Sequence, residues 1–176
     1  MEKQRIHLDT SVLICCIHAK VARKLKKGPK KDEIKYGNGL LSKLRGEKEN
    51  PEVEIVVSSE ALGETVNKLK DIHKDIDDFL ECIRGLWDIF NELGVEYCPS
   101  GEEVDRIAIE IAKRDKLLGS EFSDCQIVAH ALADKDSTVF VTLERKIINS
   151  SALKELSGEM KKNKQRERDM KITSYE

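Results

Sequence analysis

Short apolar runs alternate along this chain with longer stretches whose apolar positions recur every three or four residues. The first kind reads as buried parallel strands and the second as amphipathic helices. Strands are predicted at Arg5–Leu8, Glu54–Ser58, Val95–Cys98 and Thr138–Thr142, with Met170–Thr173 as a last edge strand. Val12–Leu25 reads as a helix, with Asp9, Thr10 or Ser11 available as N-cap and Gly28-Pro29 as its stop. Leu40, Leu41 and Leu44 suggest a second short helix closed by Gly46. A stripe from Val66 through Leu69, Ile72, Phe79, Ile83 and Trp87 to Leu93 predicts a long helical stretch over Glu60–Leu93. Its length favours a break around Asp71–Asp75, and Gly94 suits its C-cap. The stripe is core, or a helix surface used in a dimer.

Ser100 can cap the next helix, Leu117–Phe122 reads as a loop, and Ser123 can cap a helix carrying Ile127, Val128, Ala131 and Leu132. A last helix is expected over Ala152–Lys162. Strands alternating with helices predict a parallel α/β sandwich with right-handed crossovers. No internal repeat or second domain is visible. The expected division is a single domain over 1–158 and a basic C-terminal tail over 159–176, which either adds an edge strand or stays disordered.

Four acids stand where a strand-like run gives way to a helix-like one: Asp9, Glu64, Asp124 and Glu144. Residues at the carboxyl ends of parallel strands converge on one crevice. Carboxylates gathered there repel, by roughly 4 kcal/mol for two charges 4 Å apart at an effective dielectric of 20. A divalent cation is the usual remedy, so the pattern predicts a metal-dependent site. Glu60 competes with Glu64, and Glu121 could extend the cluster or be a solvated loop charge. His7 and His130 read as packed or hydrogen-bonded core histidines.

Charge adds a second feature. The net charge is only −2, yet Lys20–Lys31 holds Lys20, Arg23, Lys24, Lys26 and Lys27 among its bases and no acid. That run is either a solvated face or a phosphate-contacting flank of the acidic mouth. The five cysteines are odd in number and lack CxxC spacing, which argues for reduced thiols in a cytoplasmic protein. Cys15, Cys16 and His18 lack a second ligand pair, so zinc is not expected there. No apolar run is long enough to span a membrane.

The blocks Ile6-His7-Leu8-Asp9-Thr10-Ser11-Val12-Leu13-Ile14, Val57-Ser58-Ser59-Glu60-Ala61-Leu62-Gly63-Glu64, Ser123-Asp124-Cys125-Gln126-Ile127-Val128-Ala129-His130-Ala131 and Val139-Phe140-Val141-Thr142-Leu143-Glu144 resemble the PIN domain family of ribonucleases. Within it they are most similar to the VapC-like toxins of VapBC toxin–antitoxin pairs. The blocks follow the family's order and span nearly the whole chain. The resemblance implies a three-layer α/β/α sandwich around a four- to five-stranded, mainly parallel sheet. It also implies Mg²⁺ or Mn²⁺ dependence, RNA as substrate and frequent homodimers.

Carried over residue by residue, Asp9, Glu64 and Asp124 match the family's metal-binding carboxylates. At the fourth acid the family usually has Thr-x-Asp or Thr-x-Asn, whereas this chain has Thr142-Leu143-Glu144. Glutamate is one methylene longer and could reach a metal directly or through water. Thr10 or Ser11 is expected to cap the first helix and orient Asp9, and Thr142 to support the metal shell by a hydroxyl hydrogen bond. A small antitoxin would block such a pocket, for instance with an arginine or lysine among the carboxylates. The alternative is a catalytically weak PIN-fold protein that binds RNA or acts as a scaffold in RNA processing. A small-molecule phosphoryl hydrolase would need a glycine-rich phosphate loop after the first strand, and Asp9-Thr10-Ser11 offers none.

Overall fold

The computed structural model describes residues 3–166 and 168–175. Five strands form one parallel sheet: β1 (Gln4–Leu8), β2 (Val53–Ser58), β3 (Glu96–Cys98), β4 (Ser137–Val141) and β5 (Lys171–Thr173), in the spatial order β3-β2-β1-β4-β5. The central strand is covered on both faces, which is why Ile6, His7 and Leu8 are all buried. Successive strands step from β1 to one side and then, at β4, to the other. The chain therefore reverses direction across the sheet between β1 and β4, the place where open α/β sheets form a crevice.

Helices make the outer layers. α1 (Thr10–Val21) packs on α2 (Lys31–Lys48), α3 (Ser59–Ile72) and α4 (Ile76–Leu93). α5 (Glu102–Arg114) packs on α7 (Phe122–Ala133), α9 (Ser151–Lys162) and the single turn α6 (Lys116–Gly119). α8 (Arg145–Ile148) follows β4. α3 also touches α7, so the two helical groups meet over one end of the sheet. None of these helices is long and apolar enough to cross a membrane.

The long stretch breaks where expected, with Asp75 capping α4 through the backbone N–H groups of Asp77 and Asp78. Gly94 takes the left-handed C-cap position at φ 56°. Four local expectations are corrected. α1 stops at Val21, short of Leu25. α2 runs through Gly46 because Leu40, Leu41 and Leu44 are all buried against the core. The expected loop at Leu117–Phe122 holds α6, since Asp115 caps Leu117 and Leu118 N–H and Leu118 is fully buried. Gly101 and Glu121, rather than Ser100 and Ser123, are the N-cap residues of α5 and α7.

The boundary between 158 and 159 falls inside α9. Beyond it, the Arg166 guanidinium is buried and donates to the carbonyls of Ala131, Leu132 and Ser137, and β5 pairs in parallel with β4. Glu167 and Glu176 of the expected tail lie outside the described residues.

Candidate active site

Asp9 follows the last residue of β1, and its N–H donates to Val141 O at 3.0 Å, which ties it to the end of β4. It is the N-cap residue of α1 by backbone conformation, yet its side chain does not cap the helix. The carboxylate turns into the crevice instead. There Oδ2 accepts from Ser11 Oγ at 2.6 Å and from Thr142 Oγ1 at 2.7 Å. Both hydroxyls serve twice: Ser11 Oγ accepts from Leu143 N–H and Thr142 Oγ1 from Glu144 N–H, each at 3.0 Å. The β1 and β4 ends are thus laced together across the switch point through one carboxylate oxygen. Thr10 takes part through its backbone N–H, which donates to the Asp9 carboxylate, while its hydroxyl faces Ala61 O at 3.3 Å and Glu64 Oε2 at 3.4 Å.

Glu64 lies on α3 and Asp124 in the first turn of α7, the two helices that meet over the sheet end. Burial raises the Asp9 pKa against the two hydroxyl bonds, and the Asp124 charge adds to the rise. Burial likewise raises the Asp124 pKa against Lys146, with Glu64 and Glu121 adding. The three carboxylates therefore feel one another across a nearly dry crevice. Two lysines respond. Lys68, one turn beyond Glu64, stands 2.5 Å from Glu64 Oε1. Lys146 on α8 stands 2.5 Å from Asp124 Oδ2 and 2.7 Å from Glu121 Oε2. Asp124 Oδ2 is sealed from solvent, with the Lys146 ammonium as its partner.

These residues fit a hard divalent cation. The donors are carboxylate oxygens, the form Mg²⁺ and Mn²⁺ prefer, and Mg²⁺ keeps several of its waters. The carboxylate oxygens do not all close to within 4.8 Å of one another, as a site occupied through water and substrate oxygens allows. Asp9, Glu64 and Asp124 would be the holders. The Glu144 carboxylate forms no ion pair among the described residues, and its backbone alone is tied to this site, through Thr142.

Glu60 faces elsewhere, paired with the buried His130. His7 is a hydrogen-bonded core residue as expected, 2.7 Å from Asp134. The sequence reading missed Lys68 and Lys146. The i+4 spacing of Glu64 and Lys68 was the available signal for the first; nothing local announced the second.

The basic run is distant from this crevice. α1 has 12 residues, which sets its two ends about 18 Å apart. At its far end Lys20 pairs with Glu92 at 2.6 Å, Lys24 with Glu81 at 3.5 Å, and Lys26 with Asp75 and Asp77 at 2.8 and 2.9 Å. Arg23 and Lys27 are exposed. That end holds a cluster the sequence did not suggest, in which His18, His73 and Cys82 come together.

Among solved structures the chain is similar to VapBC2 from Rickettsia felis bound to a DNA fragment from its promoter. The TM-score is 0.56 at 17% identity, over 84% of this chain and 94% of that one. The fold is PIN-like. No protein-family model matches the sequence, and no curated protein matches it. A PIN-like fold at such low identity says nothing of chemistry by itself, which must come from the crevice.

Proposed function

We propose that this chain is a metal-dependent endoribonuclease acting as the toxin of a toxin–antitoxin pair. The observation that supports this most is the trio Asp9, Glu64 and Asp124, from three separate elements, in a dry crevice that raises the pKa of both aspartates. A carboxylate trio that two lysines neutralise only in part favours a cation. Bound there, Mg²⁺ or Mn²⁺ would lower the pKa of a water and polarise the scissile phosphate. The chain's own part is to hold Asp9 by the Ser11 and Thr142 hydroxyls, to steer Glu64 through Thr10, and to supply Lys68 and Lys146 as ammonium groups beside the phosphate charge.

An antitoxin that inserted a basic side chain would repeat what Lys146 already does to Asp124. The similarity to a VapBC2 complex supports such a partner. Ile76, Leu80 and Trp87, exposed on one face of α4, support a homodimer through that helix.

A second reading has its own observation. Lys68 and Lys146 already neutralise two of the three carboxylates, which favours a catalytically weak RNA-binding or scaffold protein.

The test is cleavage of a structured RNA panel with Mg²⁺, Mn²⁺ or EDTA, comparing wild type with Asp9→Asn and Asp124→Asn. The expected result is metal-dependent cleavage that falls at least about 100-fold in each variant, the scale of losing one electrostatic stabiliser. Equal cleavage by all three proteins means a contaminating ribonuclease. RNA bound but uncut by wild type selects the scaffold reading.

A further inference from the structure

At the end of the sheet away from the acidic crevice, His18 on α1, His73 at the C-cap of α3 and Cys82 on α4 meet in the interior. They are 4%, 8% and 0% exposed, and one ligand atom from each lies within 4.8 Å of the other two. His18 Nε2 and His73 Nε2 are 3.0 Å apart. A tetrahedral zinc ion with Zn–N bonds of about 2.05 Å holds two nitrogens roughly 3.3 Å apart, so these rings already stand near ligand spacing.

The tautomer is also prepared. His18 Nδ1 is 2.5 Å from Glu33 Oε1, so Nδ1–H donates to the carboxylate and Nε2 is left as the lone-pair atom. In the metal-free protein His73 Nε2–H then donates to His18 Nε2. A cavity of about 560 Å³ lined by His18, His73, Glu33 and Asp78 opens beside the cluster, giving solvent a path to a fourth position. Asp78 is itself engaged, since its carboxylate accepts the N–H groups of Lys26 and Lys27.

We propose that His18, His73 and Cys82 bind a zinc-type divalent ion with solvent as fourth ligand and Glu33 as the carboxylate that positions His18. Two imidazoles and a thiol suit Zn²⁺ and disfavour Mg²⁺, which separates this site chemically from the carboxylate crevice. Binding replaces the Cys82 S–H bond by a sulfur–metal bond and releases that proton to solvent. It also moves the His73 proton from Nε2 to Nδ1, freeing the second nitrogen lone pair. The ion would tie α1, α3 and α4 together at one point. The proposal does not rest on nuclease activity.

The test uses the full chain stripped of metal and titrated with Co²⁺, then with Zn²⁺ as competitor. The expected result is a near-ultraviolet thiolate-to-cobalt charge-transfer band that saturates at one ion per chain, disappears in Cys82→Ser, and persists in Cys15→Ser and in Asp9→Asn. Glu33→Gln should weaken Zn²⁺ binding roughly 10–100-fold, the usual effect of removing an outer carboxylate. Zinc should raise the thermal midpoint of wild type and not of His73→Gln. Should Cys82→Ser fail to fold, the wild-type band and its loss on adding Zn²⁺ still decide. No band in wild type, or a band unchanged in Cys82→Ser, overturns the site.

Discussion

Asp9 Oδ2 receives two hydroxyl donors, and removing them one at a time or together measures how the crevice is held. Thr142→Val keeps shape and removes the 2.7 Å donor; Ser11→Ala removes the 2.6 Å donor. A hydrogen bond to a charged group contributes roughly 1.5–3 kcal/mol, and an orphaned backbone N–H adds to the loss. Thr142 is fully buried and also accepts from Glu144 N–H, so its replacement should cost about 2–4 kcal/mol. Ser11 is half-buried and should cost about 1–3 kcal/mol. Each single variant leaves Asp9 one hydroxyl donor; the double variant leaves no hydroxyl and only the Thr10 backbone N–H. The pair should therefore lose at least about 0.5 kcal/mol more than the sum of the singles. Urea unfolding of the metal-free protein at pH 7 reads this out, with an unchanged m-value as the sign that only stability moved. A Thr142→Val protein within about 0.5 kcal/mol of wild type, the range of an ordinary surface change, would refute the account. Strict additivity would show that the two hydroxyls do not share Asp9.

Glu92 bonds Lys20 and Arg45, and those hydrogen bonds lower its pKa from 4.5 to about 2. A depressed carboxyl pKa stabilises the fold above the unfolded value and loses that contribution as pH falls through the folded one. Glu92→Gln should thus cost about 1 kcal/mol at pH 7, discounted for the exposure of the pair, and nothing near pH 2, in an acid titration followed by circular dichroism. A cost that stayed constant with pH would be the refutation. In α2, a Cβ on Gly37 would lie 2.3 Å from Cys15 O and 2.8 Å from Ala19 Cβ, whereas one on Gly39 meets nothing within 4 Å. Gly37→Ala should destabilise by roughly 1–3 kcal/mol in thermal melts, while Gly39→Ala should stabilise by about 0.5–1 kcal/mol; equal signs would contradict the close α1–α2 packing.

The order of strands and long helices was legible because each leaves a periodic record. Thr138–Thr142 reads as continuous apolar or β-branched chain and became β4; the stripe through Val66, Leu69 and Leu86 became α3 and α4. Asp9 stands directly after β1, as the alternation of apolar runs predicted, whereas Glu64 lies inside α3 and Asp124 in α7 behind another helix, so no strand end marked either of them. What was not legible depends on tertiary distance. Gly46 looked like a stop, but the buried leucines of α2 outweigh its propensity. Lys20, Lys24 and Lys26 looked free, but α4 brings Glu92, Glu81, Asp75 and Asp77 to meet them. Arg166 looked like one charge in a solvated run, yet it is 2% exposed and donates to the carbonyls of Ala131, Leu132, Ser137 and Arg168. His18 and Cys82 stand 64 positions apart in sequence, 18 and 82, and no local spacing rule joins them.

α1 connects the two proposed metal sites. Asp9 introduces it and His18 stands nine positions on, about 13 Å along the axis at 1.5 Å per residue. An ion at His18 would fix the far end of the helix whose first residue presents Asp9, so its loss would loosen the crevice without touching a carboxylate. EDTA strips both kinds of ion, and inhibition by EDTA alone would not say which site failed. The ligands separate the cases: oxygen donors take back Mg²⁺ or Mn²⁺, and an imidazole–thiolate site takes back Zn²⁺. Full recovery of cleavage on Mg²⁺ alone assigns the loss to the crevice. Recovery that needs Zn²⁺ as well, in wild type and not in His73→Gln, would make the buried cluster the support on which the geometry of Asp9 depends.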